Sequence, residues 1–259
     1  MTARLESKTI IVTGAASGIG AGIARGMAAE GANVVIADLN LDAAEAVAAG
    51  IRDAGGSAIA VRVDVTDEEQ VAAGVAAAVA EFGRLDVYFN NAGLNAPENF
   101  LDITKAKWDL IFSVNTFGVV LGTQAAARQF LAQGGGGKVV NTASIAGRQG
   151  FPSFAPYSAS KAAVISLTQA AARSFAADGI TVNAFAPGVV ETPLWKQLDQ
   201  DLAAMGQPEA GFEGMSGDIL LGRPATPADI VPTAIFLASG DSDYITGQVI
   251  PIEGGMVLV

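Results

Sequence analysis

Residues 9–20 read TIIVTGAASGIG, a short strand pattern that runs directly into a glycine-rich turn. The residues at 9–13 are all β-branched, which favours a strand covered on both faces. Gly14, Gly18 and Gly20 would let backbone N–H groups approach a pyrophosphate at the positive end of the following helix. Their Gly-x-x-x-Gly-x-Gly spacing differs from the common Gly-x-Gly-x-x-Gly fingerprint, and such a turn also forms without a ligand. The stretch predicts the first strand and helix of an α/β fold, with a dinucleotide as the candidate ligand.

The alternation of strand and helix patterns continues along the chain. Strands are predicted at 9–13, 33–37, 58–63, 86–89, 138–142, 181–185 and 248–252. Helices are predicted at 18–30, 41–54, 67–82, 108–132, 155–177 and 227–239. No linker or change of composition divides the 259 residues. We therefore expect one Rossmann-type domain over residues 1–259, a doubly wound α/β fold with a mostly parallel, seven-stranded sheet.

The composition argues against several classes of function. The net charge is −11 and the sequence pI is about 4.4, so the protein would repel a phosphate backbone and we expect no nucleic-acid partner. The sequence suggests neither a spanning helix nor a signal peptide, which predicts no membrane partner and a cytoplasmic location. The chain has no Cys and no His, which excludes a Ser-His-Asp triad and metal sites built on those ligands. We expect no metal, and acid–base chemistry must use a carboxylate, Lys or Tyr.

Asp38 adds to the evidence for a dinucleotide. It ends the second predicted strand, 18 residues after Gly20, where a carboxylate can accept hydrogen bonds from the adenosine ribose. An aspartate there could also be a helix N-cap or a solvated loop residue. Asp38 would repel the 2′-phosphate of NADP, and neither Arg nor Lys stands at Ala15, Ala16 or Leu39 to receive it. We therefore expect NAD as the cofactor.

A second group of residues suggests acid–base chemistry. Tyr157 and Lys161 share one face of a predicted helix, and Ser144 follows the fifth predicted strand, where ligands of α/β sheets bind. Bringing a tyrosine pKa from about 10 to about 7 requires ~4 kcal/mol. One ammonium at ~4 Å supplies about that much at an effective dielectric constant of ~20. By itself, Tyr-x-x-x-Lys is commonplace and indicates an amphipathic helix surface rather than a catalytic pair.

Taken in order, these motifs resemble those of the short-chain dehydrogenase/reductase family over nearly the whole chain. Further matches are NNAG at 90–93, Asp64-Val65, and Pro187-Gly188 with Thr192 beyond it. The resemblance implies that the following residues bind NAD: Gly14, Ser17, Gly18, Ile19, Gly20, Asp38, Leu39, Asp64, Val65, Asn91, Ala92, Gly93, Tyr157, Lys161, Pro187, Gly188, Val190 and Thr192.

The resemblance also implies the catalytic roles. Tyr157 takes the hydroxyl proton of an alcohol while hydride passes to the nicotinamide. Ser144 holds the substrate oxygen, and Lys161 lowers the tyrosine pKa and holds the nicotinamide ribose. Asn115 holds a water in the proton relay. The expected activity is the NAD-dependent interconversion of a secondary alcohol and its ketone.

Two other classes of function remain as alternatives. A non-catalytic dinucleotide-binding protein could share the fold, but it would be expected to have lost Ser144, Tyr157 or Lys161. An epimerase or dehydratase on an extended scaffold would carry a larger substrate domain. Only about 40 residues separate Phe185 from Pro227, too few for such a domain.

The tail at 243–248, the ending at 254–257 and the run 187–195 resemble polyol dehydrogenases and acetoin/butanediol reductases. This favours a sugar alcohol or vicinal diol as the substrate, under a mobile lid over residues 188–222. Candidate substrate contacts are Asn95, Ile145, Gln149 and Trp195.

Two of these candidates leave alternatives open. Trp195 could equally pack the lid onto the body of the protein. Ile145 cannot bond a second hydroxyl, although Asn95, Gln149 or Glu191 could compensate. The alternative substrate is therefore a simple secondary alcohol or a cyclic ketone in a more apolar pocket.

The predicted helices at 108–132 and 155–177 are apolar around much of their circumference, so each should be buried on more than one face. The second face could lie beneath a loop of the same chain or against a second subunit. Members of the resembled family commonly pair these helices across a dimer and form tetramers, so we expect a homotetramer.

Overall fold

The computed structural model describes residues 3–258, which form a seven-stranded sheet in the order β3-β2-β1-β4-β5-β6-β7. The strands are β1 (Thr9–Thr13), β2 (Asn33–Asp38), β3 (Ser57–Arg62), β4 (Val87–Asn90), β5 (Gly137–Thr142), β6 (Ile180–Pro187) and β7 (Val249–Ile252). Every neighbouring pair is parallel. The predicted fold class is confirmed, and the sheet is wholly rather than mostly parallel. The strand order changes direction between β1 and β4, the place where ligands enter folds of this kind.

Helices cover both faces of the sheet. They are α1 (Gly18–Ala29), α2 (Leu41–Asp53), α3 (Glu68–Phe82), α4 (Lys105–Phe112), α5 (Gly118–Gln133), α6 (Ala155–Phe175), α7 (Leu194–Ala204), α8 (Phe212–Ser216) and α9 (Pro227–Ala238). Side chains alternate across β1. Ile10 and Val12 pack with α1, α2 and α9, whereas Ile11 packs with α3, α5 and α6. This alternation explains why the strands are apolar along their whole length.

The predicted helix at 108–132 differs most from the structure. It begins earlier, at Lys105, and a π-helical turn at Ser113–Phe117 separates α4 from α5. Hydrophobic periodicity does not reveal a single wide turn, because the apolar pattern continues through it. π turns often mark functional sites, and this one contains Asn115.

The combined stretch Lys105–Gln133 is, by length and composition, the one helical segment in the described range 3–258 that could cross a membrane. The sequence analysis found no such segment, because polar residues interrupt the apolar ones. Half of its most apolar window is buried within the protein, and α5 packs against α3 and β4. We therefore assign the stretch to the core of the domain.

The expected lid at 188–222 has more internal structure than its composition suggested. It contains α7 and α8, and Leu198 and Leu202 of α7 are fully buried. Leu198 also lines the cavity beside Ser144 and Tyr157, so the buried side of α7 faces the site.

A chain of buried polar groups links the sheet to α6. The Asn90 amide donates to Asn141 Oδ1 at 2.9 Å, and the Asn141 amide donates to Thr168 Oγ1 at 2.9 Å. Thr168 in turn donates to the Val164 carbonyl at 2.8 Å. Breaking one link would leave a buried donor without a partner, which typically costs about 1–3 kcal/mol.

We predict that Thr168→Val lowers the free energy of unfolding by about 1–3 kcal/mol, because the Asn141 amide loses its acceptor. Thr9→Val is the matched control, because Thr9 is equally buried and its hydroxyl has no partner within the described residues. Removing that hydroxyl should leave stability unchanged or raised. Urea denaturation at one protein concentration tests both variants, and equal losses would contradict the prediction.

Candidate active site

The glycine-rich turn after β1 is shaped by close backbone packing. Gly14 has a φ of +63°, a conformation that other residues rarely adopt. A Cβ added to Gly20 would lie 2.3 Å from the Gly14 carbonyl oxygen and 2.6 Å from the Asn91 amide nitrogen. Asn91 donates from that nitrogen to the Thr13 carbonyl at 2.9 Å. Larger side chains are therefore excluded, and the start of α1 stays open to a ligand.

Asp38 lies at the far side of the same turn, and backbone groups orient its carboxylate. Oδ2 accepts from the Ala16 N–H and Oδ1 from the Asn40 N–H, both at 3.0 Å. The carboxylate is half-buried, and its charge faces the cleft. Asp38 is thus not the N-cap of α2, because Asn40 takes that place.

A cleft of about 600 Å³ runs from Asp38 to Lys161. All of the predicted cofactor residues line it except Pro187, Gly188 and Val190, which line the adjoining cavity. The length of the cleft, the glycine turn at its centre and the carboxylate at one end fit a nicotinamide dinucleotide.

The predicted catalytic side chains converge where the cleft meets the cavity. Ser144 caps the turn after β5, and its Oγ accepts from the Ala146 N–H at 3.1 Å. The same hydroxyl is hydrogen-bonded to the Tyr157 phenol. Lys161 Nζ lies 5.7 Å from the centre of the tyrosine ring and donates to the Thr142 carbonyl at 2.7 Å. One strand end and one helix face thus bring together a hydroxyl, a phenol and an ammonium.

Burial dominates the electrostatics of this group. It raises the pKa of the Tyr157 phenol, and the hydrogen bond with Ser144 offsets only part of that effect. Burial also lowers the pKa of Lys161 to about 8. We expected Lys161, together with the positive nicotinamide ring of an oxidised cofactor, to bring the tyrosine pKa near neutrality; without the cofactor, burial of the phenol dominates its pKa. The expected contribution of the nicotinamide ring to the tyrosine pKa remains a prediction.

Asn115 lies fully buried below the lysine, in the π turn. Its amide exchanges two hydrogen bonds with the backbone of Leu94, both at 2.8 Å, and donates to Ser160 Oγ at 3.1 Å. Ser160 donates to the Tyr157 carbonyl at 2.7 Å. The Asn115 side chain therefore fixes the loop after β4 against α6. Its expected part in holding a water remains a prediction.

The adjoining cavity lies beside Ser144 and Tyr157 and has a volume of about 120 Å³. Its walls are mainly apolar, among them Ile145, Phe151, Phe154, Val189, Leu198 and Met215. The predicted substrate residues Asn95, Ile145 and Trp195 line it. Gln149 does not, because it is exposed and lies in a separate groove with Phe100 and Ala162. The turn after Ser144 carries Gln149 outward, and this corrects its assignment as a substrate contact.

Trp195 fits both of its expected roles. It lines the cavity, and its ring also packs edge-on against Phe212 at a centroid distance of 5.5 Å.

Nearby, Gln207 connects the lid to the rest of the cavity rim. Its amide donates to Asn99 Oδ1 at 2.7 Å, and its carbonyl oxygen accepts a short hydrogen bond from Ser153.

Comparison with known proteins places this geometry in a family. Residues 14–257 match the model of a family described as enoyl-(acyl carrier protein) reductase. A short-chain type dehydrogenase/reductase from Mycobacterium marinum superimposes with a TM-score of 0.91 at 35% identity, over 100% of this chain and 98% of that one. The chain belongs to the short-chain dehydrogenase/reductase family.

Relatives in this family share the full length of the chain. Diacetyl reductase, (S)-acetoin forming, of Staphylococcus epidermidis is 43% identical over 97% of this chain and 99% of its own. L-2,3-butanediol dehydrogenase of Corynebacterium glutamicum is also 43% identical, with the same coverage. Galactitol 2-dehydrogenase of Agrobacterium fabrum is 42% identical over 97% of this chain and 98% of its own.

A second solved structure in the family bears on the cofactor. A putative NAD(P) dependent gluconate 5-dehydrogenase from Beutenbergia cavernae is 37% identical, with a TM-score of 0.88 over 99% of each chain. It was solved with bound NADP at low occupancy. This short-chain dehydrogenase/reductase is therefore an oxidoreductase of a family that binds NAD(P).

Several groups at the site were missed by the sequence analysis. The apolar walls Phe151, Phe154 and Met215 come from separate loops, and no local pattern predicts that they meet. Ser160 could have been found, because it lies three residues after Tyr157 and so shares its side of the helix. The connection made by Gln207 has no sequence signal, because its partners lie 54 and 108 residues away.

The buried ammonium of Lys161 should make stability depend on pH. Its pKa falls from 10.5 to about 8 on folding, so the unfolded chain binds more protons between those values and wild-type stability rises with pH in that window. We predict that Lys161→Met stabilises the cofactor-free protein at pH 7, by on the order of 3 kcal/mol at most. The gain should shrink between pH 8 and pH 10.5.

Urea denaturation of the wild type and the Lys161→Met variant at pH 7 and pH 10 measures the difference. The exposed Lys196→Met is the control and should show no such trend. A stabilisation by Lys161→Met that is equal at both pH values would contradict the role of charge burial.

Proposed function

We propose that this protein is a cytoplasmic, NAD-dependent dehydrogenase/reductase that interconverts a secondary alcohol bearing a neighbouring hydroxyl and its ketone. The supporting observation is that Tyr157 lines both the dinucleotide cleft and the substrate cavity. A substrate carbon held in the cavity against Ser144 and Tyr157 would therefore lie next to a dinucleotide bound in the cleft. The bound dinucleotide supplies the hydride acceptor or donor and a positive ring in its oxidised form.

Each protein group has a defined task in this reaction. The Ser144 hydroxyl, oriented by the Ala146 N–H, bonds the reacting oxygen. In reduction, the protonated Tyr157 phenol donates its proton to that oxygen, and in oxidation the phenolate accepts it. In reduction, Lys161 passes a proton to the phenolate from the cleft side, takes one up from the solvent there, and remains anchored on the Thr142 carbonyl. The apolar lid residues exclude water during the transfer.

The relatives and the cavity together support this substrate class. Relatives named for acetoin, butanediol and galactitol all act on a carbon next to another oxygen-bearing carbon. The cavity offers an amide, Asn95, besides the catalytic pair. The second candidate is a simple secondary alcohol or a cyclic ketone, which the buried, apolar Ile145 beside Ser144 favours.

The reaction assignment depends on Tyr157. We predict that Tyr157→Phe lowers kcat by about 10²-fold or more, the usual cost of losing a general acid or base. Cofactor binding should persist, as measured by the fluorescence of bound NADH. Tyr244→Phe is the matched control, because Tyr244 is fully exposed, and it should keep full activity. A Tyr157→Phe enzyme with more than about a tenth of the wild-type rate would refute the assignment.

The preference for NAD is supported by the fixed carboxylate of Asp38. Repulsion of a 2′-phosphate at ~4 Å is worth a few kcal/mol at moderate dielectric constant, which favours NAD by roughly 10²-fold. We predict that Asp38→Asn reduces the ratio of kcat/KM for NAD over NADP by tenfold or more. The amide keeps an acceptor for the backbone but loses the charge.

Asp42→Asn, exposed in the first turn of α2, is the control for this experiment. It removes a nearby charge that is not aimed at the cleft, so the ratio should stay unchanged. Equal kcat/KM for the two cofactors in the wild type would overturn the assignment of NAD.

We also propose a homotetramer built partly on α4, α5 and α6. These helices border a shallow groove lined by Trp108, Phe112 and Phe117, and more than a third of Trp108 and half of Phe117 is exposed. Aromatic surface of this kind is typical of protein interfaces. We predict sedimentation as a tetramer at micromolar concentration, with dissociation on Phe117→Glu. A monomeric wild type would contradict the proposal.

A further inference from the structure

We propose that Asn95 determines substrate specificity by accepting a hydrogen bond from the hydroxyl next to the reacting carbon. The proposal rests on the function proposed above and adds the atom that would recognise the second hydroxyl. The observation behind it is a buried polar atom in the cavity wall. The Asn95 side-chain oxygen Oδ1 is buried and has no hydrogen-bond partner within residues 3–258.

Other asparagines at this end of the sheet differ from Asn95. Amides with hydrogen-bond partners in the protein are those of Asn90, Asn91, Asn115, Asn141 and Asn183. Leaving a buried acceptor unpaired typically costs about 1–3 kcal/mol. A group kept in that state in the wall of a ligand cavity is a candidate for pairing with the ligand.

The rest of the cavity offers few alternatives. Ser144 and Tyr157 are engaged with the reacting oxygen. The Thr142 hydroxyl already donates to Asn91 at 3.3 Å. Ile145 is apolar, and Gln149 lies in the separate groove. Two further polar side chains line the wall: Thr192, which also borders the dinucleotide cleft, and Trp195, whose indole can only donate. Asn95 is therefore the acceptor that we assign to a second hydroxyl.

The kind of atom involved makes the proposal specific. Oδ1 is an acceptor, so with the amide oriented as it is in the structure it would bond a hydroxyl but not an ether or carbonyl oxygen. The preferred substrates are then vicinal diols and hydroxyketones. A monoalcohol would leave Oδ1 unpaired, and a methyl ether of the diol would place an acceptor against an acceptor.

The test compares kcat/KM for 2,3-butanediol, 3-methoxy-2-butanol and 2-butanol with NAD. The wild type should prefer the diol over both others by about tenfold to a hundredfold, the equivalent of one buried hydrogen bond. Asn95→Leu keeps the volume and removes the acceptor, so it should abolish the preference while 2-butanol oxidation remains. Gln149→Leu is the matched control and should keep the preference.

The outcomes separate this inference from the proposed function. A wild type that oxidises 2-butanol best would overturn the diol as substrate class and the inference with it. A diol preference that survives in Asn95→Leu would overturn the inference alone, as would equal rates with the diol and its methyl ether. If Asn95→Leu does not fold, Asn95→Ala provides the same comparison, and the wild-type diol-to-ether ratio tests the acceptor independently.

Discussion

The hydrogen bonds that tie the end of β1 to the end of β4 determine where every other part of the site lies. The Thr13 hydroxyl donates to the Phe89 carbonyl and accepts from the N–H groups of Asn91 and Ala92. β1 and β4 meet where the strand order reverses, so no helix crosses above their ends and a crevice opens there. Without this tie, the glycine turn and the loop after β4 could separate, and the cleft would lose its shape.

Tightly packed contacts link the loop after β4 to the catalytic residues. Gly93 leaves so little space that an added Cβ would lie 3.2 Å from Asn115 Oδ1 and 3.5 Å from Lys161 Nζ. Asn115 in turn holds Leu94 and Ser160, and Ser160 holds the backbone of Tyr157. The catalytic residues are thus positioned by buried polar groups, which a well-packed interior makes rigid.

The same burial has an energetic cost that function explains. The protein keeps an ammonium at Lys161 and, at Asn95, an amide oxygen that has no partner among residues 3–258, both in places where stability alone would favour apolar atoms. Active sites commonly retain such groups because a ligand or a reaction step uses them. Lys161 lies in the dinucleotide cleft and Asn95 in the substrate cavity. Tyr157 therefore lies between a group that serves the cofactor and a group that serves the substrate.

The sequence by itself determined the strand and helix alternation, the parallel sheet and the residues of the glycine turn. These features depend on local periodicity and on glycines that few other residues could replace. Spaced motifs also identified Ser144, Tyr157 and Lys161 as candidates. Only the tertiary structure decided that Gln149 points away from the cavity and that burial raises the tyrosine pKa. It also revealed the π turn and the buried side-chain oxygen of Asn95, which none of the described residues pairs with. These features depend on contacts between residues far apart in the chain, on solvent exclusion and on exact side-chain direction, none of which a local pattern encodes.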